Sequence, residues 1–146
     1  MQYKIGRLLG NKPKELALSA ITEKLVDGDI IILNSDIIDN VSIRAAVTID
    51  GQGHSIYVEP GNGGLNLYNH CKIINCNFVV GEKANGINVR LEEIELSLEN
   101  CTFRHENVEN GYTSIYMESP LSQMICDNVI IDYAILNTRN LKATKL

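Results

Sequence analysis

Long hydrophobic runs are missing from this chain of 146 residues. Its first twenty residues intersperse Lys4, Arg7, Lys12, Lys14 and Glu15 among apolar positions, so they contain neither a signal-peptide core nor a membrane span. Clustered positive charge is missing too. The 13 Lys and Arg are scattered and outnumbered by 18 Asp and Glu, which gives a formal charge of −5 and a pI near 5.1. Affinity for phosphate backbones comes from grouped cations, so neither nucleic acid nor an anionic membrane is expected as a partner. Paired metal ligands are also missing: Cys71-x4-Cys76 straddles a turn, no C-x2-C occurs, and no His joins the four cysteines. Glycines 61, 63, 64, 81, 86 and 111 lack the strand-loop-helix context of a phosphate-binding loop. No metal and no cofactor is expected.

What is present is a repeat. Cys71-Lys72-Ile73-Ile74-Asn75-Cys76-Asn77-Phe78 and Leu96-Ser97-Leu98-Glu99-Asn100-Cys101-Thr102-Phe103 superpose, apolar on apolar at alternate positions and Asn on Asn. Leu65-Asn66-Leu67 and Ile87-Asn88-Val89 repeat ahead of them. Short period-2 strands recurring every 20 to 30 residues or so mark a parallel solenoid, whose coils bury their apolar faces only by stacking. Residues 29–132 can be written as three columns of strands. The first holds 41–43, 65–67, 87–89 and 115–117; the second holds 47–49, 71–73, 96–98 and 124–126. The third holds Ile30-Ile31-Ile32, Ile56-Tyr57-Val58, Cys76-Asn77-Phe78, Cys101-Thr102-Phe103 and Val129-Ile130-Ile131. Ile125 and Ile130 then point outward. All four cysteines fall on inward positions, as buried reduced thiols, which fits a reducing compartment. Compartment is otherwise open, because export would depend on a leader outside this sequence.

A single domain is expected over residues 1–146. Residues 1–12 form a segment laid on the first coil. Residues 13–26 form a capping α-helix, begun by Asn11, Pro13 and Glu15, striped by Leu18, Ile21 and Leu25 and ended by Gly28. Residues 133–146 form a tail without a helical stripe, so a second copy of the chain, or sequence beyond this one, is expected to cover the last coil.

The short bends between the second and third columns carry Asn75, Asn100 and Asn128, as an asparagine ladder would require, since Asn tolerates positive φ and bonds to its neighbours. With Gly28-Asp29-Ile30-Ile31 and Thr48-Ile49-Asp50-Gly51-Gln52-Gly53-His54, this register resembles the right-handed parallel β-helix, or pectin-lyase-like, superfamily over residues 13 to 132. The resemblance implies an all-β, right-handed, single-stranded parallel β-helix of four to five coils. Enzymes and non-enzymes share that fold, so it does not specify a function.

In that superfamily substrates lie along the outer face of the first column and the long loops beside it. Here that face reads Ser42, Asn66, Asn88 and Tyr116, followed one step along by Arg44, Tyr68, Arg90 and Glu118. Glu118 is the only acid in these rows, whereas calcium sites and glycoside hydrolysis both need several carboxylates. Arg90, Glu118 and His105 are the candidates for catalysis, set against a solvated Arg90–Glu118 pair and a His on an exposed loop. Asn66, Tyr68, Asn88, Arg90, Tyr116 and Glu118 are the candidates for carbohydrate binding, with the rings of Tyr57, Tyr68 and Tyr116 able to stack on sugars. The expected function is a non-catalytic module with a carbohydrate-binding or assembly role, and the alternative is a polysaccharide lyase or glycoside hydrolase, alone or as a piece of a longer enzyme.

Overall fold

The computed structural model describes residues 1–8, 14–38, 40–61, 63–106, 114–119, 121–131, 135–136 and 141–143. In chain order the strands are β1 (Gln2–Leu8), β2 (Lys14–Leu16), β3 (Ile30–Leu33), β4 (Ile37–Ile38), β5 (Val41–Ile43), β6 (Val47–Asp50), β7 (Ser55–Val58) and β8 (Leu65–Leu67). They continue as β9 (Cys71–Ile74), β10 (Asn77–Val80), β11 (Ile87–Val89), β12 (Glu95–His105), β13 (Ile115–Met117), β14 (Gln123–Ile131), β15 (Ile135–Leu136) and β16 (Leu141–Ala143). Pairing between successive coils is parallel, and the molecule is an all-β parallel solenoid of about four turns.

The three columns follow from alternation. The first stacks β5, β8, β11, β13 and β15, with Val41 on Leu65, Leu65 on Ile87, Ile87 on Ile115 and Ile115 on Ile135. The second stacks β1, β3, β6, β9, the first half of β12, the first half of β14, and β16. The third stacks β4, β7, β10 and the second halves of β12 and β14. Every second residue turns inward, so Ile31, Ile49, Ile73, Leu98 and Cys126 form one buried column of side chains across five coils.

At the bend between second and third columns, Asn75, Asn100 and Asn128 take φ of 52°, 53° and 55°. In β12 and β14 one left-handed residue turns the chain sharply without ending the strand, whereas the bend at Asn75 separates β9 from β10. The three Asn side chains touch across coils: Asn100 Nδ2 donates to Asn75 Oδ1 at 3.2 Å, and Asn128 Nδ2 to Asn100 Oδ1 at 2.7 Å. The first coil turns differently. Gly51 stands level with Asn75, where a Cβ would lie 2.6 Å from the Asn75 carbonyl oxygen, and the left-handed residues are Gln52 and Gly53.

Three expectations are corrected by the structure. Ile30-Ile31-Ile32 belongs to the second column, where Ile31 pairs with Ile49, and β4 begins the third. A run of three Ile has no polar residue to mark its outer face, and Ile31 and Leu33 are the inward pair. Ile56 stands level with Phe78 rather than Cys76, because the Gly51–Ser55 bend is longer by two residues, not four. The residues expected to form a capping α-helix instead comprise β2 and two 3-10 turns, Leu18–Ala20 and Thr22–Lys24. Spacing of i and i+3 suits a 3-10 turn as well as an α-helix, and so short an isolated helix is marginal. The capping task survives the change, since Leu18, Ile21 and Leu25 are buried in the core cluster. Gly28 takes the left-handed conformation expected of it, at φ 93°. Asn11 and Pro13 lie outside the described residues.

The tail does part of what is expected of a second copy. β15 and β16 continue the first and second columns beyond the last full coil. Ile130 is 65% exposed, on the outward face expected of it, and Ile125 is half-buried.

Candidate functional site

Strand register brings Ser42, Asn66, Asn88 and Tyr116 into one outward row across four coils. The residues just past each strand form the next row, because the N–H groups of Tyr68, Arg90 and Glu118 donate to the carbonyls of Ile43, Leu67 and Val89 in the preceding coil. Two pairs of this row are in contact, and Arg90 also reaches into the first row. The Arg44 guanidinium lies over the Tyr68 ring, 4.3 Å from its centroid. Arg90 Nε donates to Asn66 Oδ1 at 3.0 Å, and Arg90 Nη1 donates to Glu118 Oε1 at 3.0 Å. Both ends of that ion pair stay partly in water, at 32% and 41% side-chain exposure, so it contributes about 0 to 1 kcal/mol. The cation–π contact contributes about 0.5 to 1 kcal/mol.

Asn88 belongs to this row but not to its surface. It is buried, accepts from Asn85 Nδ2 at 3.0 Å and donates to the Gly63 carbonyl, so its amide holds the turn ahead of β8. Tyr57, Tyr68 and Tyr116 are half-buried. One face of Tyr68 is taken by Arg44.

His105 is not on an exposed loop, where its polar neighbours in the sequence put it. It ends β12, level with Val80, is 6% exposed and lies 3.0 Å through Nε2 from Ser114 Oγ. Alternation after Cys101 and Phe103 puts residue 105 inward, while Arg104 is exposed outward. Arg90 and Glu118 are thus brought together and His105 is kept apart from them. Residues 107–113 of the longest loop lie outside the described residues.

The other histidines hold turns. His70 Nδ1 accepts from the Glu95 N–H at 2.9 Å, and His54 Nδ1 lies 3.6 Å from Asp36 Oδ1. The acidic cluster at residues 27–29 also closes a turn, Asp27 accepting from the Ala46 N–H at 2.8 Å and Asp29 from the Val26 N–H at 2.9 Å. That Val26 bond, with the Met1 ammonium at 2.9 Å, holds the Asp29 carboxyl below its ordinary 3.8. Among the described residues no group of three or more His, Cys, Asp or Glu could hold a metal. All four cysteines are buried. Burial pushes Cys71 up to about 12 and Cys101 and Cys126 to about 11, and raises Cys76 as well, so none is a nucleophile near neutrality.

A second outward surface escapes the sequence reading. Ser55, Asn77 and Thr102 form one row on the third column, and Tyr57, Val79 and Arg104 form the next. Alternation and the 25-residue offset already align Asn77 with Thr102 and Val79 with Arg104. Adding Ser55 and Tyr57 requires the true length of the Gly51–Ser55 bend.

No protein-family model matches the chain, and no curated protein or solved structure is detectably similar to it.

Proposed function

We propose that the chain is a non-catalytic carbohydrate-binding module of the pectin-lyase-like class. The observation that carries this reading is the outer row Arg44, Tyr68, Arg90 and Glu118, in which cations, a ring and one carboxylate line a continuous face over four coils. Such a face supplies hydrogen-bond donors, acceptors and an apolar ring in the repeating spacing of the coils, which suits a chain of sugars laid across them. The interlocked bend asparagines, read as an asparagine ladder, would keep that spacing regular. A lyase or hydrolase reading has less support. Glu118 is paired with Arg90, and it is the only carboxylate in the two first-column rows, whereas hydrolysis uses two. The test is a glycan array followed by a turnover assay on each hit. Binding without new reducing ends or unsaturated sugars supports the module; no binding to any glycan would remove it.

A structural role in assembly is the second reading, favoured by one observation. Among the described residues β15 and β16 extend the first two columns, but no strand follows Val129–Ile131 in the third. We propose that a second copy stacks on that edge, since exposed parallel edges invite pairing. A sedimentation coefficient that rises with protein concentration would support it, and a single monomeric species throughout would end it.

A further inference from the structure

We propose that the outer face of the third column is a separate subsite that takes a saccharide ring. The proposal rests on the carbohydrate reading above and moves part of the contact away from the first column. Its ground is a groove of about 400 Å³ lined by the rows Ser55, Asn77, Thr102 and Tyr57, Val79, Arg104, with Ile130 at its edge. That volume lies within the range of small-ligand sites. The two rows are two residues apart along their strands, about 6.6 Å, and successive coils are about 4.8 Å apart, so the patch has the dimensions of a ring rather than a protein interface.

The lining is chemically divided. Val79 forms an apolar floor: it faces outward yet is only 6% exposed, enclosed between Tyr57 and Arg104 in the coils on either side. On one flank Thr102 Oγ1 spends its hydrogen on Asn77 Oδ1 at 2.7 Å, and Asn77 Nδ2 donates to the Gly53 carbonyl at 3.0 Å. That flank presents the lone pairs of Thr102 Oγ1 beside the Ser55 hydroxyl and the second N–H of Asn77, so it both accepts and donates. On the other flank stands Arg104, a donor with no acceptor lone pair, whose guanidinium makes no ion pair among the described residues.

Only some ligands use all three parts. A flat hydrocarbon would cover Val79 and Ile130 but leave Arg104 and the Thr102–Asn77 flank desolvated without partners. A phosphate would use Arg104 and the flank's donors but leave the lone pairs of Thr102 and the Val79 floor without partners. A pyranose offers a C–H face for the floor and edge hydroxyls that both donate and accept, so it can meet the mixed flank and the guanidinium together. On the first column, by contrast, Arg90, Asn66 and Glu118 already bond to one another and Asn88 is buried.

The experiment is a titration of the ¹⁵N-labelled full chain with oligosaccharides that bind on the array, repeated for Arg104→Ala, Val79→Glu and Arg90→Ala. Arg104 and Val79 both face outward, and the amide spectrum of each variant reports directly that it has folded. The expected result is a set of shifts on β7, β10 and the second half of β12, with affinity there falling roughly 10-fold or more in Arg104→Ala. Val79→Glu should abolish those shifts, while Arg90→Ala weakens only shifts on the first column. Perturbations confined to the first column and insensitive to Arg104 would overturn the subsite and leave the module reading standing. No perturbation by any oligosaccharide would overturn both.

Discussion

Phe78 and Phe103, 25 residues apart in the chain, lie in adjacent coils with their rings stacked, centroids 4.6 Å apart and planes 3° from parallel. They are the only two phenylalanines in the chain, and both are fully buried or nearly so. The contact states the repeat in physical form, because an offset read from letters has become one strand spacing.

Replacing Phe103 with Ala should therefore destabilise by about 3 to 5 kcal/mol, through lost burial and the cavity left between coils. Urea unfolding of both single mutants and the double mutant should show a coupling of about 0.5 to 1.5 kcal/mol beyond additivity. Additive losses would mean that the rings do not support one another.

The bend makes a prediction that separates backbone from side chain. Asn100→Ala should lower stability by about 1 to 3 kcal/mol, since Ala at φ 53° is strained and both amide contacts are lost. Asn100→Gly loses the same contacts without the strain and should recover part of the deficit. Equal loss in the two variants, measured by thermal melting, would assign the whole effect to the side chain.

How far the sequence can be read depends on whether polar residues alternate with apolar ones. Leu65-Asn66-Leu67 and Ile87-Asn88-Val89 announce their inward faces, so the first column is right residue by residue. Ile30-Ile31-Ile32 announces nothing, and its expected column is the wrong one. The Gly51–Ser55 bend hides its length because glycine permits more than one path, which leaves Ile56 two residues off. His105 reads as a loop residue when polarity is weighed above alternation. Contacts such as Arg44 on Tyr68 depend on side-chain direction past the strand end, which no letter pattern contains.

The thiols give a pH dependence with a definite sign. In the folded state they are raised from 9.0 to about 12 for Cys71 and about 11 for Cys101 and Cys126. A group raised on folding contributes stability that is fully present below its unfolded value and is lost as pH climbs through the folded one. Stability should thus fall between pH 9 and about 12 as the unfolded chain ionises first. At neutral pH a thiol reagent should label these residues only on unfolding, and rapid labelling of the native protein would contradict the burial.

Gly64 should tolerate no side chain. Its φ is 65°, and a Cβ there would run into the Gly86 carbonyl of the next coil. Gly64→Ala should destabilise by about 2 to 5 kcal/mol, combining strain with overpacking. Gly53→Ala is the control: its φ is 81° but nothing lies within 4 Å of an added methyl, so only the strain of about 1 to 3 kcal/mol applies. Equal denaturation midpoints for the two variants would show that the coils are not so closely stacked at the start of β8.

Binding without turnover is what separates a module from an enzyme, and calorimetric titration with the strongest array ligand, followed by product analysis of the same sample, measures both. Saturable binding weakened by Arg90→Ala, with the glycan recovered intact after prolonged incubation, is the expected result. Cleavage of the glycan by the wild type, lost in Glu118→Gln while binding persists, would contradict it and make Glu118 a catalytic residue.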